Sequence, residues 1–580
     1  MKAVFFDNDT GQWTEYLEPV SVRSIDDLAD IPGALEETTR RAEAEGLHAV
    51  FILSYEASPA FDASLTVRAA DRSPVPLAWF ALFSGLKPFG DLSAVTPPDA
   101  DRGFSVGPFA PTVSIDEYRA AFDRVKEHLK QGNSYQVNLA LAFRALFSGS
   151  PFGWFSSIAH AGHGRFLSYL ETDEWAVCSF SPELFFEKRG DTVTLRPMKG
   201  TIPTPEGDPL SACESLRSSG KNRAENLMIV DMIRNDIGRV AETGTVTVPS
   251  LFETEVYETV IQMTSTVRAR VAKGIPDILS ALFPCASITG APKRRSMDII
   301  AELEASGRGL YTGAIGRIEP NLDCVCSVAI RTAVLDKRAR SMRYGCGSGI
   351  VWDSDREEEW AECLAKAAVI ESGEPFHAFE SFLVEDGKAF LADRHFERLV
   401  RSCRFFGIMG DLDGLKVFWD RTIAELEASY PQGAFKAKIT YDGARAVLTD
   451  CSPAPSLPSP YRVTLASSRV ESADPFVAHK TNRRRHVEAA MNGIAGFADV
   501  ILVNERGELT ETTRGNLALM IGGRLFTPPE SSGLLPGVWR DELLARGELE
   551  ERTLYPEDLY RADAAYMLNS VRRSVECVIS

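Results

Sequence analysis

Ile115, Tyr118, Phe122, Val125 and Leu129 recur at three- and four-residue spacing, the period that gathers apolar side chains on one helix face. Ser114 and Glu117 form a capping box at the start of this helix, and Gly132 marks its end. Residues 1 to about 110 have a different texture. AVFF, HAVFILSYE and PLAWFALF are short apolar runs separated by Pro, Gly and Asp, which predicts strands and turns. Beyond the helix, NSYQVNLAL, RFLSYLE, WAVCSFSPELFFEKR and TVTLRP read as further strands.

From Asn222 to Val240 the pattern is helical again. Asn222 and Glu225 offer a cap pair, and Leu227, Val230, Ile233 and Ile237 share a predicted face. The loop Phe283 to Lys293 (FPCASITGAPK) precedes the helix RSMDIIAELE. Strands around CVCSVAIRT and SMRYGCGSGIV follow, then a strongly acidic helix from Asp355 to Glu371. The stretch Ser372 to Pro375 (SGEP) breaks the pattern, and the texture restarts. FESFLVEDGKAFLA reads as strand–turn–strand, HFERLVRSCRFFGI as a helix, and a helix–strand pair comes next. CSPAPSLPSP (451–460) is a Pro/Ser linker expected to be extended and exposed. No internal repeat relates the halves. The chain therefore reads as a fusion of unlike domains, 1–371 and 376–580, joined by a linker at 372–375.

Composition narrows the function. A chain of 580 residues is too long for one hydrophobic core. Its net charge of -18 argues against a nucleic-acid or anionic-membrane surface. Anionic substrates would need a bound cation or local Lys/Arg clusters. Ten cysteines are scattered without CxxC pairs, and Cys324 and Cys326 of CVC are expected on opposite strand faces, so neither a disulfide framework nor a zinc site is predicted. The start, MKAVFFDNDTGQW, lacks the signature of a signal peptide. Apolar runs such as Leu77 to Phe83 are far short of a membrane span, and the expected location is the cytoplasm.

Two patterns carry candidate chemistry. In LRPMKGT (195–201) a proline-stiffened approach and a Gly-Thr turn present Lys199, which can bind an anion or, with a lowered pKa, attack carbon. A solvated turn lysine is the plainer reading of that stretch alone. Glu359, Glu362 and Lys366 share one helix face, suited to holding a magnesium ion beside a substrate carboxylate, or to an ordinary Glu362–Lys366 pair.

The stretches YQVNL (135–139), SPELF (181–185), RPMKGT (196–201), AENLMIVDMIRNDIGRV (224–240), SITGAPK (287–293), RGLYTGAIG (308–316), AIRT (329–332) and GSGIV (347–351) together resemble the chorismate-utilising enzymes. That family includes anthranilate, isochorismate, salicylate and aminodeoxychorismate synthases. The resemblance covers roughly residues 45 to 370. It implies one large α/β domain, two stacked antiparallel sheets flanked by helices. It makes Glu225 and Glu362, with Glu359 beside them, the carboxylates for Mg2+. It assigns Thr201, Gln136, Tyr311, Arg331, Lys366 and the backbone at Gly347 and Gly349 to substrate, and Glu183 to protonating the departing C4 hydroxyl. Lys199 stands where anthranilate and salicylate synthases carry alanine and aminodeoxychorismate synthases carry lysine. The implied step is attack by Lys199 on C2 of chorismate, followed by addition of ammonia at C4. Two positions depart from the family: Asn222 is usually acidic there, and Gln262 replaces a histidine tied to pyruvate elimination in anthranilate synthases.

In the second half, FESFLVEDGKAFLADRHFERL, HKTNRR (479–484), ELTETTRGNL (508–517), LFTPP (525–529) and GLLPGVWR (533–540) resemble the class IV aminotransferases, a two-subdomain α+β fold that includes aminodeoxychorismate lyase. The resemblance implies pyridoxal 5'-phosphate. Lys480 would carry the cofactor, Glu511 would pair with its pyridine nitrogen, and Arg398 and the backbone of Val538 and Trp539 would hold its phosphate. Asn516 would support the site. The fusion implies that 4-amino-4-deoxychorismate made by the first half loses pyruvate in the second to give 4-aminobenzoate, a folate precursor. No stretch resembles a glutaminase, so a separate glutamine amidotransferase is the expected ammonia source. Two rivals stay open: an anthranilate-type synthase fused to a transaminase, and a chorismate-binding regulatory subunit without turnover.

Overall fold

The computed structural model describes all residues except 9, 70–72, 93–102, 160–163, 205–208, 257–259, 369–375, 409, 492–493 and 495. The expected linker at 372–375 lies outside the described residues. Two compact units result, the first built mainly from residues up to 372, the second mainly from 373 on. The second also takes in the short strand Phe104–Val106 and the residues 147–149 that pair with it.

Among the described residues, the strands of the first unit pair antiparallel and belong to a 19-stranded network that also includes Phe104–Val106. The capping box forms as expected: Glu117 N donates to Ser114 Oγ, and Ser114 N to Glu117 Oε2 at 2.7 Å. Tyr118, Phe122, Val125 and Leu129 of the Ile115–Lys130 helix are buried. The reading of residues 1–110 as strands and turns misses a helix, Ile31–Glu45. Its buried face is Ile31, Ala34, Leu35, Thr38, Thr39 and Ala42, too rich in Ala and Thr to stand out as an apolar stripe.

Other corrections follow from local geometry. The helix predicted from Asn222 starts earlier, at Gly220, capped by Ser219 instead of Asn222. Its buried side is Asn226, Ile229, Val230, Ile233 and Ile237, while Leu227 is 52% exposed. Asn222 Nδ2 instead donates to the cap, Ser219 Oγ, at 3.0 Å. Cys324 and Cys326 do not oppose each other, because residues two apart share a strand face. Both are buried in the same core as free thiols.

The second unit is built on two sheets. The strands Ala378–Glu385, Lys388–Ala389, Ala434–Tyr441 and Ala446–Pro453 form a small antiparallel sheet. The helices Ala392–Phe406 and Leu412–Ser429 share a core with it around Phe382 and Trp419. The expected linker at 451–460 begins inside the last of these strands. After it an eight-stranded mixed sheet starts at Tyr461, with a core around Val463, Ile501 and Leu517. Among the described residues no helix is long and apolar enough to cross a membrane.

Candidate active sites

In the first unit Lys199 sits on the strand Met198–Pro203. Gly200 follows at φ +92°, a left-handed value that favours glycine. A Cβ there would lie 3.2 Å from Asn222 Cβ, so the strand runs against the first turn of the Gly220–Gly238 helix. Lys199 keeps some solvent contact along its length, but its ammonium end is enclosed. Burial lowers its pKa, and the nearby Glu183 and Glu225 oppose that in part. A Cβ on Gly349 would collide with Gln136 Nε2 and lie 3.4 Å from Lys199 Nζ. Gln136, Lys199 and the Gly349 backbone therefore meet at one point.

Glu183 is 3% exposed and accepts a hydrogen bond from Ser287 Oγ at 2.6 Å. Burial pushes its carboxyl up to about 7, with the Ser287 bond and Lys199 pulling the other way. A buried carboxyl beside an enclosed amine is an acid–nucleophile pair in reach of one ligand.

The acidic helix, Arg356–Ala368, lies near enough for its Lys366 and Glu362 to act on the Lys199 charge. Lys366 Nζ donates to Gly347 O at 2.8 Å and pairs with Glu362 at 2.6 Å, so the ordinary i,i+4 pair is present. A Cβ on Gly347 would sit 2.6 Å from Leu139 O, which explains glycine there. Burial raises the pKa of Glu225; Lys199 and Lys221 oppose the rise, and Glu359 and Glu362 add to it. Among the described residues no three acidic, His or Cys side chains close on one point as a metal cage. Mg2+ favours few carboxylates completed by water and an anionic ligand, so Glu225 and Glu362 fit its donor chemistry.

Tyr311 is buried, its ring covering Gly345. Arg308, which sequence reading did not single out, fixes the loop that carries it. Arg308 is 5% exposed, makes a two-pronged bond to Glu304 (2.6 and 3.0 Å), and donates to Asn138 O and Ile288 O. Its own backbone N–H donates to the buried Glu56. Arg331 takes φ +48°, and its charge acts on Tyr344, whose hydroxyl donates to Lys366 O at 3.2 Å. Gln262 is buried opposite Thr201 in the adjoining strand pair, and the Thr201 side chain lies outside the described residues.

The second unit has a cavity of about 320 Å³ bordered by Arg398, Lys480, Arg484, Glu511, Asn516 and Val538. Burial, then Arg398 and Arg484, lower Lys480 to about 7. Burial raises Glu511 to about 7, and it accepts hydrogen bonds from Leu535 N (3.2 Å) and Asn516 Nδ2 (3.4 Å). Gly537 caps the helix Val538–Ala545, so the N–H groups of Val538 and Trp539 open the first turn. A Cβ on Gly537 would collide with Asn516 Oδ1. Arg398 is more occupied than expected. It forms two bonds to Glu380 (2.8 and 2.6 Å) and one to Pro536 O (3.0 Å). Burial alone would raise the Glu380 carboxyl, but Arg398 and His395 outweigh it and hold it at about 2. An amine, a buried acid and a helix start around one cavity suit a phosphorylated pyridine cofactor.

Residues 3–372 match the chorismate binding enzyme family. The chain belongs to that family. Residues 377–577 match amino-transferase class IV, which gives the second unit its fold. Aminodeoxychorismate synthase component 1 of Klebsiella aerogenes is 41% identical over 282 residues, 47% of this chain and 61% of that protein. Anthranilate synthase component 1 of Aquifex aeolicus is 38% identical over 260 residues, 44% of this chain and 52% of that one. The chain thus spans about half to three fifths of the length of these curated relatives. The solved anthranilate synthase component I of Streptococcus pneumoniae superposes with a TM-score of 0.56 at 23% identity, covering 62% of this chain and 92% of that one, and shares its fold.

Three functional neighbours escaped the sequence reading: Ser287, Arg308 and Glu380. Ser287 and Arg308 lie inside stretches that carry the resemblance, SITGAPK and RGLYTG, but neither has a periodicity of its own. Glu380 is an inward carboxylate on a strand, visible only once Arg398 and His395 are brought beside it.

Proposed function

We propose that the first unit aminates chorismate at C4 and that the second converts the product to 4-aminobenzoate. The observation that carries this reading is Lys199, an enclosed amine beside Glu183 and Gln136 where the anthranilate-forming pattern has alanine. Neutral Lys199 Nζ bonds to C2, the conjugated double bonds shift, and the C4–O bond breaks as Glu183 protonates the departing hydroxyl to water. Ammonia then bonds to C4, the double bonds shift back, and the C2–N bond to Lys199 breaks. Each displacement is allylic, which is what covalent catalysis gains here. Arg331, Lys366 and Tyr311 would hold the carboxylates, and Gln136 would orient the amine. Mg2+, held by Glu225 and Glu362 with Glu359 beside them, would neutralise the ring carboxylate. The naming of the relatives as component 1 supports a separate glutamine amidotransferase as the ammonia source.

In the second cavity pyridoxal 5'-phosphate, when bound, supplies an electron sink. Lys480 would carry it and take the C4 proton at Nζ. Glu511, fixed by Asn516, would hold the proton of the pyridine nitrogen. Arg398 and the backbone N–H groups of Val538 and Trp539 would hold the phosphate. The C3–O bond then breaks, enolpyruvate leaves, and the ring becomes aromatic. With chorismate, ammonium, Mg2+ and the cofactor, the purified chain is expected to give 4-aminobenzoate by chromatography. Anthranilate, or no amine product, would sink the proposal.

Glu183 gives a pH test. A carboxyl held up near 7 is the proton donor below that pH, and the donor is lost as pH rises through it. Chorismate turnover is therefore expected to decline above about pH 7. Glu183→Gln should cost about a hundredfold and flatten that decline in the kcat–pH profile. An alkaline limb unchanged in the variant would assign it to another group.

A further inference from the structure

The second cavity holds more positive charge than a cofactor phosphate needs. Arg398, Lys436, Lys480, Arg484, Arg514 and Arg572 line it against a single carboxylate, Glu511. Two of these cations are already answered, Arg398 by Glu380 at 2.6 Å and Lys436 by Asp450 at 3.2 Å. Lys480 and Glu511 belong to the cofactor reading. Of the remaining Arg484, Arg514 and Arg572, the first and last are informative, because Arg484 Nε and Arg572 Nη2 are buried without a hydrogen-bond acceptor. Burial lowers the pKa of both guanidinium groups, although Glu511 offsets this in part for Arg484.

An unmet buried donor costs about 1–3 kcal/mol, and more when charged, so a chain retains one where something else completes it. The backbone under both residues is fixed. Asn569 Oδ1 accepts from the N–H groups of Val571 (3.1 Å) and Arg572 (2.8 Å), pinning the turn that carries Arg572. The carbonyl of Arg484 accepts from Val487 N at 2.9 Å, at the start of the helix Arg485–Met491. The enclosed Arg484 guanidinium and the half-buried Arg572, whose Nη2 is enclosed, sit on a fixed frame and match carboxylates in geometry as well as charge.

We propose that Arg484 and Arg572 form an anion subsite for the carboxylates of a dicarboxylate amine, distinct from the groups that hold the cofactor phosphate. The proposal rests on the reading of the second unit as a pyridoxal-phosphate lyase. Its chemistry suits that reaction. The substrate has two carboxylates, and loss of pyruvate removes one, so the subsite favours the substrate over the product and eases release.

The test uses the full chain loaded with cofactor. It is titrated with 4-amino-3-(1-carboxyethoxy)benzoate, a stable aromatic dicarboxylate, and with 4-amino-3-ethoxybenzoate, which lacks the second carboxylate. The change in the cofactor's visible band is followed, because it reports only on this cavity. The wild-type chain is expected to prefer the dicarboxylate by about tenfold or more. In the double variant R484Q/R572Q that preference should fall to roughly unity with the cofactor still bound, and in R484K/R572K part of it should survive. A preference undiminished in R484Q/R572Q would overturn the proposal. So would loss of the cofactor's visible band from R484Q/R572Q, which would place the two residues in the hold on the cofactor and not in a separate subsite. No visible band in the wild type would overturn the cofactor reading itself, and the subsite with it.

Discussion

Lys199→Ala is expected to lower amination of chorismate by about a thousandfold or more, the scale on which an acting nucleophile is lost. A lysine that merely attracted an anion would cost far less, because Lys366 lies close enough to act on the Lys199 charge. The geometry favours the larger effect. Lys199 Nζ is enclosed against the Gln136 amide and the Gly349 backbone, and its lowered pKa leaves more of the neutral amine that must attack. Lys199 also retains partial solvent contact, so truncation should leave the thermal unfolding of the chain nearly unchanged. The variant should still bind its cofactor and convert supplied 4-amino-4-deoxychorismate at the wild-type rate. Chorismate amination within about tenfold of wild type would refute a covalent role.

Lys480→Ala is the matching test of the second cavity. The variant is expected to lose the visible absorbance of the bound cofactor. Chorismate and ammonium should then accumulate 4-amino-4-deoxychorismate, with 4-aminobenzoate falling about a thousandfold or more. Burial and the two neighbouring guanidinium groups hold Lys480 at about 7, so near neutral pH a large share of it is the unprotonated base. The wild-type lyase rate should therefore rise as pH climbs through about 7. Normal 4-aminobenzoate formation by the variant would remove Lys480 from the reaction.

The sequence made the regular parts legible and left the irregular contacts hidden. The capping box at Ser114 and the stripe from Tyr118 to Leu129 rest on spacing alone, and both form. Ile31–Glu45 fails the same test because Ala and Thr bury without reading as apolar. In the Gly220–Gly238 helix the cap lies three residues earlier than the Asn222–Glu225 pattern suggests, and the buried face is centred on Asn226, Ile229 and Ile233, which leaves Leu227 at its exposed edge. Local spacing could nominate Glu362 and Lys366 as partners, since i and i+4 meet on a helix. It could not bring Ser287 to Glu183 across 104 residues, nor Arg398 to Glu380 across 18. Those contacts depend on tertiary placement, and only motif resemblance pointed near them.

Arg308 has a consequence for how such a chain can change over generations. Its guanidinium satisfies Glu304, two backbone carbonyls and the loop that carries Tyr311 in one buried knot. Losing one charge of a buried pair costs about 3–5 kcal/mol, a large part of a domain's stability, whereas replacing both by apolar residues can be close to neutral. Single-step drift at position 308 or 304 is therefore closed, and the two positions can move only together. The same knot ties the wall that carries Tyr311 to a site more than two hundred residues earlier, at Glu56. The wall that carries Tyr311 is thus the part of this unit least free to vary.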